Sequence, residues 1–439
     1  MSRTSIPLLS KTMEYSFKGQ IYLNASISFS LDDGIARFSV HSKNSLPFYE
    51  QHILLEGIID SGQKIYLLID HFYDCGFDHA VYEDGEVISV PHIEAVVEAC
   101  AVMDSGSIDD VDSIGFYSLE IPKITNTLVS GALNDDNASW IDIKKTLGRY
   151  KKCNREYKVS IGFVEERPFY SGQMLVVGAD GKLGMDEIKE SYWLIKKALT
   201  FLYQKRVVPL ESVYLRNGSR NIGKLYIERL ESSRYISFTA KCLPVISWNG
   251  KFSNLLQALA DDKIYLRHVP IFKEDEKSVT PGRFLMGLVA LENVLDLTKV
   301  HVSHDDKHKE AVELAKANIG KLAKSSTGKE KKIYKRILEQ VEKDENFEGR
   351  IKTSLEDNCE FVNNFFTLGI LGDSQSRIAK DLAKTRNALA HGNLDVDLSV
   401  KCSYQMQFLM LYVLYLQLEM IGFTKKEASE IVSNILFEH

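Results

Sequence analysis

Hydrophobic and polar positions follow two different periods in the two halves of the chain. In the first half the period is two. Ile21 to Phe29 (IYLNASISF) alternates apolar with polar residues, Ala36 to Val40 repeats the habit, and Ile53 to Ile59 and Lys64 to Ile69 are short apolar runs. Turn-forming Asp32-Asp33-Gly34, Ser61-Gly62 and Asp84-Gly85 separate them. Such runs between such turns predict strands. Further strands are predicted at Lys158–Glu165, Gln173–Val177, Lys224–Glu228 and Tyr235–Phe238. One helix is predicted at Asp186–Tyr203, where Ile188, Trp193, Leu194 and Ala198 recur at helical spacing. The pattern changes near Trp248–Asn254 and is helical from there on. Phe252–Leu259 opens the series. Gly282–Leu297 (GRFLMGLVALENVLDL) is nearly all apolar, as a central bundle helix would be. Amphipathic helices are predicted at His308–Leu322 and Lys332–Glu342, and further helices at Leu355–Leu371, Ser376–Ala390, Ser399–Ile421 and Lys425–Phe437. The reading is an α+β multidomain protein, with a β-rich domain over residues 1–250 followed by an all-α bundle over residues 251–439.

Composition narrows the class without changing that picture. The chain has 439 residues, 26% charged and 44% hydrophobic. These are ordinary globular values, which exclude a fully disordered, collagen-like or disulfide-packed chain. Six cysteines with no CxxC pair point to a reduced, cytoplasmic protein. The start, MSRTSIPLLSKTMEYSF, has no apolar run of signal-peptide length. The most apolar run, Phe408 to Leu416, is too short and too polar-edged to span a bilayer, so no membrane partner is expected.

Charge is unevenly spread. Residues 1–120 carry 6 basic and 19 acidic side chains, and residues 121–250 carry 21 and 13. The basic middle stretch either faces an anionic partner or neutralises the acidic first third within one domain. A second basic segment lies between two predicted helices. Lys321, Lys324, Lys329, Lys331, Lys332, Lys335 and Arg336 stand there against the single acid Glu330. It reads as a phosphate-facing loop or as a solvated basic loop.

Several familiar chemistries are missing. There is no P-loop, no GxGxxG after a strand and no GxSxG elbow. Two groups have metal-ligand residue types. His301, His304 and His308 lie in a charged connector beside Asp305 and Asp306. His71, Cys75 and His79 lie with Asp74, Asp78 and Gly76 in what reads as a turn. Either is a candidate zinc set, and connector and turn explain the same residues without a metal.

The most informative segment is Ser376 to Asp395, SRIAKDLAKTRNALAHGNLD. Ile378, Leu382, Thr385 and Leu389 fall on one helical face, with Lys380, Lys384 and Arg386 off it. Gly392 and Asn393 stop the helix, so His391 is predicted at a helix end. Arg386 and His391 at this spacing are a weak signal alone, and Arg386 also reads as a surface residue paired with Asp381 or Glu360. The extended string RNALAHG, in an all-α half and downstream of ALENVL around Glu292, is more specific.

It resembles the signature of the HEPN superfamily of RNases, in which Arg, a polar residue, a short spacer and His sit within a small helical bundle. The resemblance covers roughly residues 255–439. A β-rich half followed by such a bundle further resembles the ApeA-type anti-phage abortive-infection proteins of bacteria. The resemblance implies a metal-independent endoribonuclease, active as a homodimer, cutting RNA with tRNA as the expected substrate. It implies no cofactor, and a β-rich half that senses a phage-derived trigger. Arg386, His391 and Asn387 match the catalytic motif, Glu292 reads as a supporting anchor, and Lys380 and Lys384 as RNA contacts. The types suit the reaction, because His moves protons near neutral pH and Arg contacts phosphate through two donors. A non-catalytic RNA- or protein-binding module of the same fold is the alternative.

Overall fold

The structure is a computed structural model of the full chain. It describes residues 11–17, 20–32, 35–41, 53–58, 62–81, 87–118, 121, 142–166, 170–206, 210, 212–227, 242, 243, 245, 248, 250–270, 279–300, 306–342, 347–367, 371, 374–392 and 400–437. The chain divides into two compact units, Met1–Asp261 and Asp262–His439.

The first unit is built on antiparallel pairing. Its strands are β1 (Lys11–Phe17), β2 (Gln20–Asp32), β3 (Ile35–His41), β4 (Ile53–Ile58), β5 (Lys64–Val81), β6 (Val87–Met103), β7 (Ser113–Tyr117), β8 (Asp142–Lys152), β9 (Arg155–Glu166), β10 (Tyr170–Ala179), β11 (Ser212–Asn217) and β12 (Arg220–Tyr226). They run in the order β3-β2-β1-β4-β5-β6-β12-β11-β7-β10-β9-β8, with an additional β3–β6 pairing. That extra pairing, from Ala36↔Val97 to His41↔His92, closes the first six strands into a ring. Beyond it β6 continues, and Cys100–Met103 pair with β12. One long strand therefore serves both the ring and the open sheet.

Helix α1 (Met185–Tyr203) buries Ile188, Tyr192, Ile195, Leu199 and Leu202 along one stripe, and the Tyr192 ring lies 6.2 Å from Phe116 of β7. Trp193 is 42% exposed, off the apolar stripe on which the spacing placed it. The first turn is held by Glu187, which accepts from the Gly184 N–H at 2.9 Å, from Arg155 and from the Tyr157 hydroxyl.

Helix α2 (Lys251–Ala260) belongs to this first unit, not to the bundle expected to begin at residue 251. Its position has a physical reason. Among the described residues strand β8 ends the sheet, so one row of its backbone groups has no described strand beside it. Side chains of α2 fill that row. Ser253 Oγ accepts from the Arg149 N–H at 3.0 Å, and Gln257 both accepts from the Lys151 N–H and donates to the Lys151 carbonyl. Gly148 permits the approach. A Cβ there would come within 3.0 Å of Leu256 and Phe252 and 3.1 Å of the Ser253 nitrogen.

The second unit is helical: α3 (Pro281–Leu297), α4 (Asp306–Ser325), α5 (Gly328–Glu342), α6 (Phe347–Asp357), α7 (Cys359–Thr367), α8 (Gln375–Ala390), α9 (Val400–Met420) and α10 (Lys425–Phe437). Helix α3 starts at a Thr280 cap with Pro281 in the first turn and packs on α9, α8 and α6. The helix expected over Leu355–Leu371 is two helices, α6 and α7, interrupted at Asn358. Asn358 is buried at the break. Its side chain accepts from the Tyr415 hydroxyl at 3.1 Å and donates to the Tyr412 hydroxyl at 3.3 Å, while Ser354 Oγ lies 2.6 Å from Tyr412. Around it Phe361, Phe365, Phe408, Tyr412 and Tyr415 pack ring against ring, the closest pair at 4.1 Å. Burial pushes both tyrosine hydroxyls well above their ordinary range, so both stay neutral.

Among the described residues, no helix is long and apolar enough to cross a membrane. The Tyr235–Phe238 strand expected from the sequence lies outside the described residues. The segment holding His71, Cys75 and His79 is not a turn but the middle of β5, paired along β6 with register shifts between Leu68 and Asp74.

The closeness of α2 to β8 predicts that Gly148→Val destabilises the first unit by about 1–3 kcal/mol, the usual cost of overpacking. A urea midpoint unchanged from the parent would show that α2 yields without cost.

Candidate active site

Helix α8 carries the RNALAHG motif, and its ends explain where the motif residues fall. Ser374 caps the start, accepting from the Arg377 N–H at 3.4 Å. Ile378, Ala379, Leu382, Ala383 and Leu389 are buried and seat the helix on the bundle. At the far end His391 is the C-cap residue. Its N–H donates to the Asn387 carbonyl at 3.1 Å. Gly392 follows with φ +78°, the left-handed conformation that ends a helix at low cost only for glycine. His391 is therefore exposed at the helix terminus, as expected.

Arg386 is turned the other way. Its Nη2 donates to both carboxylate oxygens of Glu292 on α3, at 3.0 Å and 3.2 Å. Its Nη1 donates to Asn387 Oδ1 at 3.4 Å, and its guanidinium carbon lies 5.9 Å from the centre of the Phe347 ring at the start of α6. Three helices thus hold one guanidinium. The partner is neither Asp381 nor Glu360. Asp381 instead accepts from Gln405 of α9, and Glu360 is exposed on α7. The side chains of Arg386 and Glu292 are 34% and 31% exposed, so solvent still reaches the pair.

The other expected residues form a separate line. Lys380, Lys384, Asn387 and His391 are all exposed. At 100° per residue they fall within about 60° of one another around the helix and span about 16 Å along it. Exposed Arg377 extends the line by one turn. Arg377 went unnoticed in the sequence, although its spacing to Lys380 was a usable signal. Phe347 had no such signal, because its contact with Arg386 is long-range. Five residues separate Arg386 from His391, which places them roughly 140° apart around an ideal helix. The structure keeps that division, with the arginine against α3 and the histidine at the open end.

Of the metal-ligand sets, His301 and His304 lie outside the described residues, as do the side chains of His308, His71, Cys75 and His79. Among the described residues no group of three or more His, Cys, Asp or Glu is placed to hold a metal ion.

Residues 303–427 match the protein-family model described as Apea-like HEPN. Over that stretch the chain is similar to an Apea-like HEPN domain. HEPN domains are generally ribonucleases. The match spans α4 to the start of α10 and includes Lys380, Lys384, Arg386, Asn387 and His391. Glu292 lies upstream of it, so the acid that holds the HEPN arginine comes from outside the matched segment. No curated protein and no solved structure matches the chain.

A pair one-third exposed contributes little to stability, about 0.5–1 kcal/mol at most. A double-mutant cycle of Glu292→Gln and Arg386→Gln should return a coupling of that size in urea unfolding of the HEPN unit. Strictly additive effects would show that the two groups are neighbours without an energetic bond.

Proposed function

We propose that this protein is a metal-independent endoribonuclease of bacterial anti-phage abortive infection, cutting host RNA when a phage-derived trigger acts through the β-rich unit. The observation that carries the reading is the end of α8, where an exposed HEPN histidine closes a line of cations while the motif arginine is oriented from α3. RNA supplies its own nucleophile. His391 takes the proton of the 2′-hydroxyl, the 2′-oxygen attacks the adjacent phosphorus, and the bond to the 5′-oxygen breaks. The products are a 2′,3′-cyclic phosphate and a 5′-hydroxyl, with the proton delivered to the leaving 5′-oxygen. Arg386 meets the charge that develops on the phosphate. Glu292 engages Nη2 and fixes the plane of the guanidinium, leaving other donors of the fork for a phosphate oxygen. Asn387 orients the phosphate, and Lys380 and Lys384 hold the flanking backbone.

The angular separation of Arg386 and His391 argues for a homodimer, because two copies of the motif across a two-fold axis put an arginine and a histidine into one cleft. Transfer RNA is the expected substrate, since its single-stranded loops have the backbone freedom that in-line attack needs. The place of action is the cytoplasm.

The test is incubation of the full-length protein with total bacterial RNA in EDTA, beside His391→Ala, with mapping of the ends. The parent should release fragments bearing 2′,3′-cyclic phosphate, and the variant should lose at least about 10²-fold in rate, the usual size of general acid–base catalysis. Undiminished cutting by His391→Ala would overturn the assignment. RNA held by both proteins and cut by neither would favour the non-catalytic binding module.

A further inference from the structure

The basic segment Lys321–Arg336 is not the loop that its composition suggested. It is the tip of a helical hairpin. Helix α4 runs to Ser325, Ser326 and Thr327 make the turn, Gly328 takes φ +58°, and α5 begins at once. The two helices pack on each other. At the tip Lys321, Lys324, Lys329, Lys331, Lys332, Lys335 and Arg336 are all exposed. Among the described residues, no carboxylate pairs with any of the seven. Further down α4, by contrast, Lys316 pairs with Glu313 at 2.9 Å.

Helical phase gives the tip a direction. On α5, Lys329, Lys331, Lys332, Lys335 and Arg336 fall within about 160° of arc and about 10 Å of length; Glu330 lies outside that arc, and Glu339 falls within it about one turn beyond Lys335. Tyr334 and Leu338 are half-buried, while Ile333 and Ile337 lie off the cationic side. A rigid two-turn face with five cations is preorganised, so little side-chain or backbone entropy is lost when an anionic chain docks. Four of the five are lysines, which act as mobile point charges and do not read planar groups. Such a face suits a run of backbone phosphates and carries no base recognition.

We propose that the α4–α5 hairpin tip is a second RNA-docking surface, which grips the phosphate backbone of the substrate apart from the bond that is cut. The inference rests on the ribonuclease reading for its substrate, and its contribution is to binding, not to the chemical step. The tip then sets how tightly an RNA is held, and the α8 end sets what happens to it.

The experiment compares two full-length quadruple variants that remove equal charge. One changes the tip (Lys329→Gln, Lys332→Gln, Lys335→Gln, Arg336→Gln). The other changes exposed lysines of the first unit (Lys145→Gln, Lys151→Gln, Lys158→Gln, Lys197→Gln). Glutamine is a good helix former, so the tip helix persists, and circular dichroism checks it. Binding of unfractionated bacterial tRNA is titrated over a range of salt concentrations in the His391→Ala background. Cleavage is followed with His391 intact. The tip variant should lose about tenfold or more in affinity at 0.1 M salt. Its slope of log K against log salt should flatten by about 3, at about 0.7–0.9 for each of the four phosphate contacts removed. In the cutting background KM should rise with kcat unchanged. The first-unit variant should change little. Equal losses in both variants, or an unchanged slope at the tip, would overturn the proposal and leave the ribonuclease reading standing. An altered self-association of the tip variant with RNA affinity intact would overturn it too, by assigning Leu322, Ile333 and Ile337 to a protein interface. If no variant cuts RNA, the binding arm still decides the hairpin on its own.

Discussion

The contact between Glu292 and Arg386 joins two helices with different work. Helix α3 is the apolar axis of the bundle, packed on α6, α8 and α9, and so it has little freedom to move. Glu292 is a half-exposed carboxylate on that axis. Through it the guanidinium of Arg386 inherits the rigidity of the bundle core, while the rest of the motif stays at the surface. An arginine on an isolated helix sweeps through many rotamers, and holding it costs up to about 2 kcal/mol of side-chain entropy. Here Glu292, Asn387 and Phe347 together restrict it.

The same helix α8 therefore has two functional sides. One is tied to α3 and places a cation of fixed orientation. The other is the line of exposed residues from Arg377 to His391, with its histidine at the helix terminus. The glycine after His391 makes this possible, since it ends the helix without a side chain that would shield the imidazole. The hairpin α4–α5 adds a third feature of the same domain, a cationic tip on a rigid support.

The β-rich unit answers a different constraint. A long antiparallel sheet exposes unpaired backbone at its edges. The β3–β6 pairing removes the edges of the first six strands, and Ser253 and Gln257 of α2 satisfy the outer row of β8. Helix α2 reads by its periodicity like the first helix of the bundle. It serves instead as the cover of a sheet edge, because its polar side chains are spaced to match alternate residues of β8.

Patterns that live within one element were legible in the sequence. Period-two runs marked β2 and β3, short apolar runs marked β4 and the start of β5, helical spacing marked α1 and most of the bundle, and Gly392 and Asn393 placed His391 at a helix end. These depend on neighbours a few residues apart, where geometry is set by the backbone alone. What depends on distant neighbours was not legible. The partner of Arg386 sits 94 residues away, so the local candidates Asp381 and Glu360 were the wrong ones. Residues 71–79 hold a glycine and polar residues that suit a turn, yet pairing with β6 draws them into a strand. The basic segment had a loop's composition, but packing between α4 and α5 carries the helices through it. Sequence by itself determined the strongly periodic elements and which chemistry they carry. The tertiary structure decided which of those groups meet, because burial and long-range pairing outweigh the weak local preferences that composition records.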